Sequence, residues 1–171
     1  MKKTTLGATI FVVCLSISFM SAYATDNGGG KPAATKPVTE TAYIDHMDVK
    51  DGKLFIDTDY IDWYEGKEAD KVFLEHEGDS GLDGAPDGYY IVNDSTRLRS
   101  FEVAPDAQIL MQIYDHSGNP EDVNVAWNEP VSTAKFKEIY RNNSLLDISD
   151  YPFHLEIKDG VVVKIVQQYI P

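Results

Sequence analysis

The stretch TAYIDHMDVKDGKLFIDTDYID, residues 41–62, decides the expected fold. Asp51-Gly52 stands between two runs in which apolar and polar residues alternate, and Asp-Gly is a favoured two-residue hairpin turn. A shift of one residue would mix the two faces, which favours a single register. In that register one face is polar, with His46, Asp48, Asp57 and Asp59, and the other holds the pairs Val49–Leu54, Met47–Ile56 and Tyr43–Tyr60.

The end of the chain contains a similar turn, Lys158-Asp159-Gly160, between strand-like runs that extend over residues 153–169. A three-residue loop gives better apolar faces here than a two-residue turn. Such a loop is a type I turn followed by a bulge, with Gly160 in the left-handed region. It predicts the pairs Phe153–Ile165, Leu155–Val163 and Ile157–Val161.

Between the hairpins, hydrophobic periodicity predicts two short helices and three further strands. The helices are residues 66–77, facing inward with Ala69, Val72, Phe73 and His76, and residues 130–140, facing inward with Val131, Ala134, Phe136 and Tyr140. Pro130 suits the first turn of the second helix. The strands are 89–92, 97–103 and 108–114, with a turn at Pro105-Asp106 and polar loops at 78–88 and 115–122.

The resulting order, ββα-βββ-α-ββ, predicts a mainly β (α+β) fold. Short antiparallel strands at this density indicate a small, partly open antiparallel β-barrel with an OB-like (oligonucleotide/oligosaccharide-binding-like) shape. A two-layer α+β sheet is the alternative.

The first 24 residues are typical of a secretory signal peptide. Lys2 and Lys3 precede an apolar run from Leu6 to Met20, and Ala22-Tyr23-Ala24 is a small-x-small cleavage site. Bulky residues before Cys14 disfavour lipid attachment, so we expect cleavage after Ala24 and no membrane anchor in the mature chain. Residues 25–40, rich in Gly and Pro, predict a flexible linker before a single β-rich domain at 41–171. This organisation predicts a secreted or periplasmic protein.

Charge excludes several classes of function. The chain has 171 residues and a formal net charge of −13. Cleavage removes two lysines and no acid, which leaves −15, and it also removes the single cysteine. An acidic chain disfavours nucleic acid and anionic membrane surfaces as partners. A mature chain without cysteine has no disulfide, thiolate nucleophile or Cys-ligated zinc. We expect a monomer.

Motifs for catalysis are absent from the sequence, which contains no His-Glu-x-x-His, no Gly-x-Ser-x-Gly and no phosphate-binding glycine loop. The histidines lack zinc spacing, so we expect no metal and no cofactor. One alternative is a small hydrolase that acts through Asp57, Asp59 and Glu65. Another is weak, structural calcium binding by the loops at 79–84 and 115–122, although Gly81 and Tyr90 do not fit a calcium-loop pattern.

Recognition is the better supported class. The chain has three arginines, and Arg97 and Arg99 alternate on one predicted strand, where they point the same way and can hold carboxylates. Internal pairing with nearby acids is the alternative. Adjacent Tyr89 and Tyr90 must face opposite sides of a strand. Aromatic residues that predict either a binding face or core packing are Trp63, Tyr64, Tyr89, Tyr90, Trp127 and Tyr169, and we take Arg97, Arg99, Trp63, Tyr64 and Tyr90 as candidate ligand-binding residues.

Three stretches resemble a family of small secreted bacterial proteins of unknown function. They are residues 60–69, residues 89–93 with Leu98-Arg99, and residues 157–171, which include the Lys-Asp-Gly hairpin and the Gln-Tyr-Ile-Pro tail. The resemblance covers most of residues 43–171 and implies an exported single-domain bacterial protein. It carries no catalytic residues to transfer. The expected function is an exported, non-enzymatic module that binds an envelope or extracellular protein, peptide or glycan.

Overall fold

A computed structural model of the protein describes residues 36–171. The predicted signal peptide and residues 25–35 of the predicted linker lie outside these residues, and residues 38–40 of that linker belong to the first strand. The strands and helices, in chain order, are β1 (Val38–Lys50), β2 (Lys53–Tyr60), β3 (Asp62–Glu65), α1 (Gly66–His76), β4 (Tyr89–Val92), β5 (Leu98–Met111), β6 (Glu129–Val131), α2 (Thr133–Arg141), β7 (Phe153–Lys158) and β8 (Val161–Gln167).

Five strands close into a ring. β1 pairs with β2, β2 with β5, β5 with β8, β8 with β7, and β7 with β1. The β5–β8 pair is parallel and the others are antiparallel. In chain order the ring strands follow 1-2-3-5-4, with α2 between the third and the fourth. This is a mainly β, barrel-like α+β fold of the OB-like kind that the sequence predicts.

The first hairpin has the predicted two-residue turn. Asp51 and Gly52 both have positive φ, 51° and 78°, as a type I′ turn requires. The pairs Val49–Leu54 and Met47–Ile56 are confirmed, whereas the pair Tyr43–Tyr60 is wrong. A bulge between Ile44 and His46 shifts the register by one residue, so that Tyr60 pairs with Ala42.

The last hairpin differs from the prediction. Its turn also has two residues, since Asp159 and Gly160 have φ of 53° and 80°, and Lys158 pairs with Val161. The three-residue loop and its pairs are therefore wrong. The register shift lies inside the strands, between Glu156 and Ile157, and it restores the apolar faces that a regular two-residue hairpin would lose. The resulting pairs are Ile157–Val162, Leu155–Ile165 and Phe153–Gln167.

β5 is one strand of 14 residues, so the two separate strands and the turn at Pro105-Asp106 are wrong. The pairing between β5 and β8 is interrupted between Val103 and Gln108. Proline has no backbone N–H to donate, and an interruption of the ladder tolerates it. β5 pairs with β2 before this interruption and with β6 after it.

α2 begins at Thr133, three residues after the predicted start. Pro130 lies in β6, opposite Leu110, and Ser132 caps the helix by accepting a hydrogen bond from the Lys135 backbone N–H at 3.1 Å. Phe136 is buried as predicted, but Ala134 is exposed and Ile139 is buried in its place.

The interior of the ring is apolar, and α2 covers one of its ends. Phe136 packs edge to face against Phe153 with ring centroids 5.9 Å apart, and the Tyr140 hydroxyl donates to the Ile44 carbonyl at 3.0 Å. Completely buried side chains of this core are Ile44, Ile56, Ile109, Met111, Phe136, Ile148, Phe153, Leu155, Val162 and Ile165.

β3, β4 and α1 form a smaller unit between β2 and β5. The helix agrees with its prediction, and Ala69, Val72 and Phe73 are buried, but His76 is exposed. Ala69 and Phe73 share a small core with Ala85, whose backbone N–H donates to Asp70 Oδ1 at 3.1 Å.

The second hairpin turn gives a test of backbone strain. A Cβ at Gly160 would meet no neighbouring atom, so Gly160→Ala costs conformational energy alone, about 1 kcal/mol in the free energy of unfolding. Urea denaturation measures this loss. Gly160→Asn is the matched variant, because asparagine tolerates positive φ, and it should retain most of the stability. Equal stability of the alanine variant and the wild type would contradict the assigned turn.

Candidate functional site

One end of the ring holds an apolar cavity of about 310 Å³, which we call the mouth. β7 shows where it lies, because Phe153 at the start of this strand contacts α2, whereas Ile157 near its end lines the cavity. The mouth and the helix-covered end are therefore opposite ends of the ring. Its main walls are Val38, Glu40, Tyr60, Phe101 and Ile157.

Strand alternation explains why these side chains meet. Glu40, Tyr60, Phe101 and Ile157 each lie two positions from a buried residue of their own strand, namely Ala42, Thr58, Val103 and Leu155. Side chains two positions apart face the same side of a strand. The mouth thus continues the interior rows of four strands to the point where the packed core ends.

Arg99 belongs to the same row of β5 as Phe101. Its guanidinium carbon lies 4.1 Å from the centroid of the Tyr60 ring, and the Tyr60 and Phe101 rings are nearly parallel, with centroids 6.3 Å apart. Arg99 Nη1 donates to the backbone carbonyl of Arg97 at 3.2 Å. Ion pairs among residues 36–171 include neither Arg97 nor Arg99. The structure therefore does not contain the internal pairing that was the alternative for these arginines.

Burial and neighbouring charges affect the pKa of the Tyr60 phenol. Burial raises the pKa of the Tyr60 phenol, and Glu40 raises it further, whereas Arg99 acts in the opposite direction. Tyr60 is therefore neutral at physiological pH and presents an aromatic face to the Arg99 cation. Lys36, Glu40 and Asp159 place charges of both signs around the cavity.

The other candidate residues lie elsewhere, on the β3–β4 pair. Tyr64 and Tyr90 pack against the small core below α1, where Tyr90 meets Phe73 edge to face at 5.5 Å. Trp63 stacks on Tyr89 at 4.8 Å. The prediction that Tyr89 and Tyr90 face opposite sides is confirmed, and the five candidate residues do not form one surface.

Sequence reasoning found Arg99, which lies beside the mouth, and missed the aromatic wall of the cavity; Arg97 is exposed and does not line the mouth. Tyr60 was assigned to the apolar face of the first hairpin, and Phe101 and Ile157 were read as ordinary strand residues. A pattern that could have indicated the mouth is the alternating row Arg99, Phe101, Val103, in which a cation and an aromatic residue precede a core position on the same face of the strand.

Two carboxylates of the hydrolase alternative, Asp59 and Glu65, lie on different strands and have separate hydrogen-bond partners. Asp59 is on β2, where Oδ2 accepts a hydrogen bond from Asn93 Nδ2 at 2.7 Å, and Glu65 ends β3 and accepts one from Trp63 Nε1 at 2.9 Å. Hydrogen bonds from the Val49 backbone, the Gly118 backbone and the Tyr114 hydroxyl lower the pKa values of Asp48, Asp115 and Glu129, respectively. A general acid needs a raised pKa, so these three carboxyl groups are unsuited to that role.

In the second of the two loops proposed for calcium, residues 115–122, the carboxylate of Asp115 accepts hydrogen bonds from the protein itself. Asp115 Oδ1 accepts the backbone N–H groups of Ser117 and Gly118 at 3.1 and 2.6 Å, and Oδ2 accepts Asn142 Nδ2 at 2.9 Å. Within residues 36–171, no cluster of three or more His, Cys, Asp or Glu side chains could hold a metal ion. The bonds of Asp115 instead fasten the loop to the end of α2.

A polar cavity of about 470 Å³ lies beside this loop. Next to it, Glu129 accepts the Tyr114 hydroxyl at 2.6 Å and contacts His116 Nε2 at 3.0 Å, while the Tyr114 and His116 rings stack at 3.8 Å. Burial raises the pKa of the Tyr114 phenol, so the phenol keeps its proton and donates it in the hydrogen bond to Glu129. Both contacts tie the loop to β6, which is a structural role.

Comparisons with family models, curated proteins and solved structures find no match to this chain. In the part of the chain that the structure describes, no helix is both long and apolar enough to cross a membrane.

The bonds of Asp115 predict a pH-dependent loss of stability. Its pKa is lowered in the folded protein, so the carboxylate stabilises the fold above its ordinary pKa of 3.8, and this contribution is lost as the pH falls through the folded value. Asp115→Asn should lower the Tm at pH 7, because an amide Nδ2 would face the Asn142 donor. The difference from wild type should narrow below the ordinary pKa.

Thermal melts from pH 7 to pH 3 measure this effect. Asp106→Asn, at an exposed position in β5, is the control and should leave the Tm unchanged at every pH. A constant difference between Asp115→Asn and wild type over the whole range would contradict the role of the carboxylate.

Proposed function

We propose that the protein is an exported, non-enzymatic binding module whose mouth holds a peptide segment of an envelope or extracellular protein. The segment carries an apolar group that enters the cavity and a carboxylate that binds Arg99. The observation that carries this proposal is an arginine stacked beside an apolar cavity with no acidic partner among the described residues. Export rests on the signal-peptide pattern of residues 1–24.

The cavity supports the apolar half of this recognition. Tyr60, Phe101 and Ile157 are half-buried, so a ligand group between them would cover aromatic and aliphatic surface that is now exposed to water. A volume of about 310 Å³ is at the lower end of the range for ligand pockets, which suits a side chain better than a large ligand.

Arg99 supports the polar half. Guanidinium stacking on the Tyr60 ring holds the planar group in place, and the fork of N–H donors at its edge suits a carboxylate. Arginine held in this way loses little further rotamer freedom on binding. A chain with 28 acidic residues nevertheless forms no ion pair to this arginine among its described residues, which is consistent with an acid supplied by a partner.

A pair of matched peptides tests the proposal. Acetyl-Gly-Gly-Phe with a free C-terminal carboxylate should bind, and the same peptide as an amide should bind at least about tenfold more weakly. Backbone amide signals of Phe101, Ile157 and Gly160 in an NMR titration report on the mouth. Arg99→Gln should remove the preference for the free acid, while Arg141→Gln, an exposed arginine on α2, should preserve it.

Two results would count against this assignment. Equal binding of the free acid and the amide would remove the role of Arg99 as a carboxylate receptor. Peptide-induced shifts that avoid the mouth altogether would place the ligand site elsewhere on the protein.

Export has a separate test. When the full chain is expressed in a bacterium, the mature protein should be recovered from the periplasm or medium with Thr25 as its first residue, as intact-mass spectrometry will show. Replacing Lys2 and Lys3 with glutamate should retain the precursor in the cytoplasm. Recovery of an uncleaved chain from the cytoplasm as the sole product would contradict export.

A further inference from the structure

Trp127 is exposed to solvent on the loop between the Pro120–Asp122 turn and β6. Its side chain is 69% exposed, and the ring of Tyr169 meets the indole edge-on with centroids 5.7 Å apart. Val125, two residues earlier in the same loop, is 38% exposed. We call Trp127 and Tyr169 the indole corner. Tryptophan and tyrosine are the residues that most often anchor protein interfaces.

The loop that carries Trp127 is fastened on both sides of it. The Ala126 N–H donates to the Gln112 backbone carbonyl at 2.8 Å, and the Asn128 N–H donates to Gln112 Oε1 at 2.8 Å. Gln112 is itself buried, and its N–H donates to Oε1 of the buried Gln167 at 2.8 Å. The exposed indole thus stands on a backbone anchored to two core glutamines, which lowers the entropy cost of binding through it.

The backbone conformation after the indole is also fixed. Asn128, directly after Trp127, has φ of 57°, in the left-handed region, which asparagine adopts more readily than most residues other than glycine. Its amide Oδ1 accepts Gln112 Nε2 at 3.2 Å and helps to hold this conformation. The turn at Asn128 is thus anchored directly beside the point where the chain places an indole in solvent.

Charge identifies the kind of partner. Residues 119–131 contain Glu121, Asp122 and Glu129 but no lysine or arginine, and residues 166–171 around Tyr169 contain no basic residue. Cation–π contacts within the described residues join Lys50 to Phe55 and Arg99 to Tyr60, and none uses Trp127. Among aromatic rings, the face of an indole binds cations best. A second copy of this chain would bring the same acidic surface and be repelled.

We propose that the indole corner binds a lysine or arginine side chain of a basic protein partner. This surface is separate from the mouth. Gln167, two residues before Tyr169, pairs with Phe153 at the end of the ring that α2 covers, whereas the other end of β8 starts at the turn beside the mouth. A strand of seven residues spans about 20 Å, so both surfaces can be occupied at once.

The test uses the mature protein and the acetylated, amidated peptide Lys-Lys-Lys-Lys. The two tryptophans give two indole N–H signals in an NMR titration. Saturable movement of the Trp127 signal, with the Trp63 signal unmoved, is the expected result at low salt, and binding should weaken as salt is raised. Trp127→Leu keeps an apolar side chain and the net charge but removes the aromatic face, so affinity should fall about three- to tenfold. Trp127→Phe should fall between leucine and wild type.

Trp63→Phe is the matched control and should bind the peptide like wild type, with thermal melts verifying that each variant is folded. Equal affinity of Trp127→Leu and wild type would overturn the proposal, because attraction would then come from the general negative charge. Movement of the Trp127 signal by chitotetraose and not by the peptide would assign the corner to a glycan. A concentration-dependent shift of that signal without peptide, abolished in Trp127→Leu, would assign it to a second copy.

Discussion

The double engagement of β5 is the constraint on which the rest of the structure depends. This strand pairs with β2 along its first half and with β6 near its end, and its parallel contact with β8, made on both sides of the Val103–Gln108 interruption, closes the ring. Closure gives each of the five ring strands a neighbour on both sides over at least part of its length and encloses the core. It also gives the ring two ends that differ: α2 covers one end, and the other end holds a cavity.

The mouth follows from the same alternation that builds the core. Each ring strand presents an interior row, and beyond the last packed layer these rows continue with Tyr60, Phe101 and Ile157. Arg99 extends the row of β5 by one more step and is stabilised by the Tyr60 ring in place of an acidic partner. The side chains at this end are thus an extension of the packing pattern, in contrast to Trp127, which an anchored loop holds outside it.

Local chemistry explains how far the sequence could be read. The first hairpin could be predicted because Asp51-Gly52 and strict alternation specify a register. The bulge near Asp45 could not be predicted, because no residue type in that stretch indicates a bulge. In the last hairpin the same kind of irregularity was misassigned to the turn. The sequence predicts a turn at Pro105 and a helix start at Pro130. Both prolines instead lie in strands, where unpaired or edge positions tolerate proline. Arg99 was found because arginine is rare in this chain, but the cavity beside it depends on contacts between distant strands that no local pattern contains.

Pro130 has one more effect, on the outer boundary of the six-stranded sheet. β6 is the terminal strand of that sheet, and it has only three residues with a proline at the centre. A strand from another molecule would find little backbone to pair with and one N–H donor missing. This edge of the sheet therefore gives crowded chains little opportunity to extend it from one molecule to the next into a fibril.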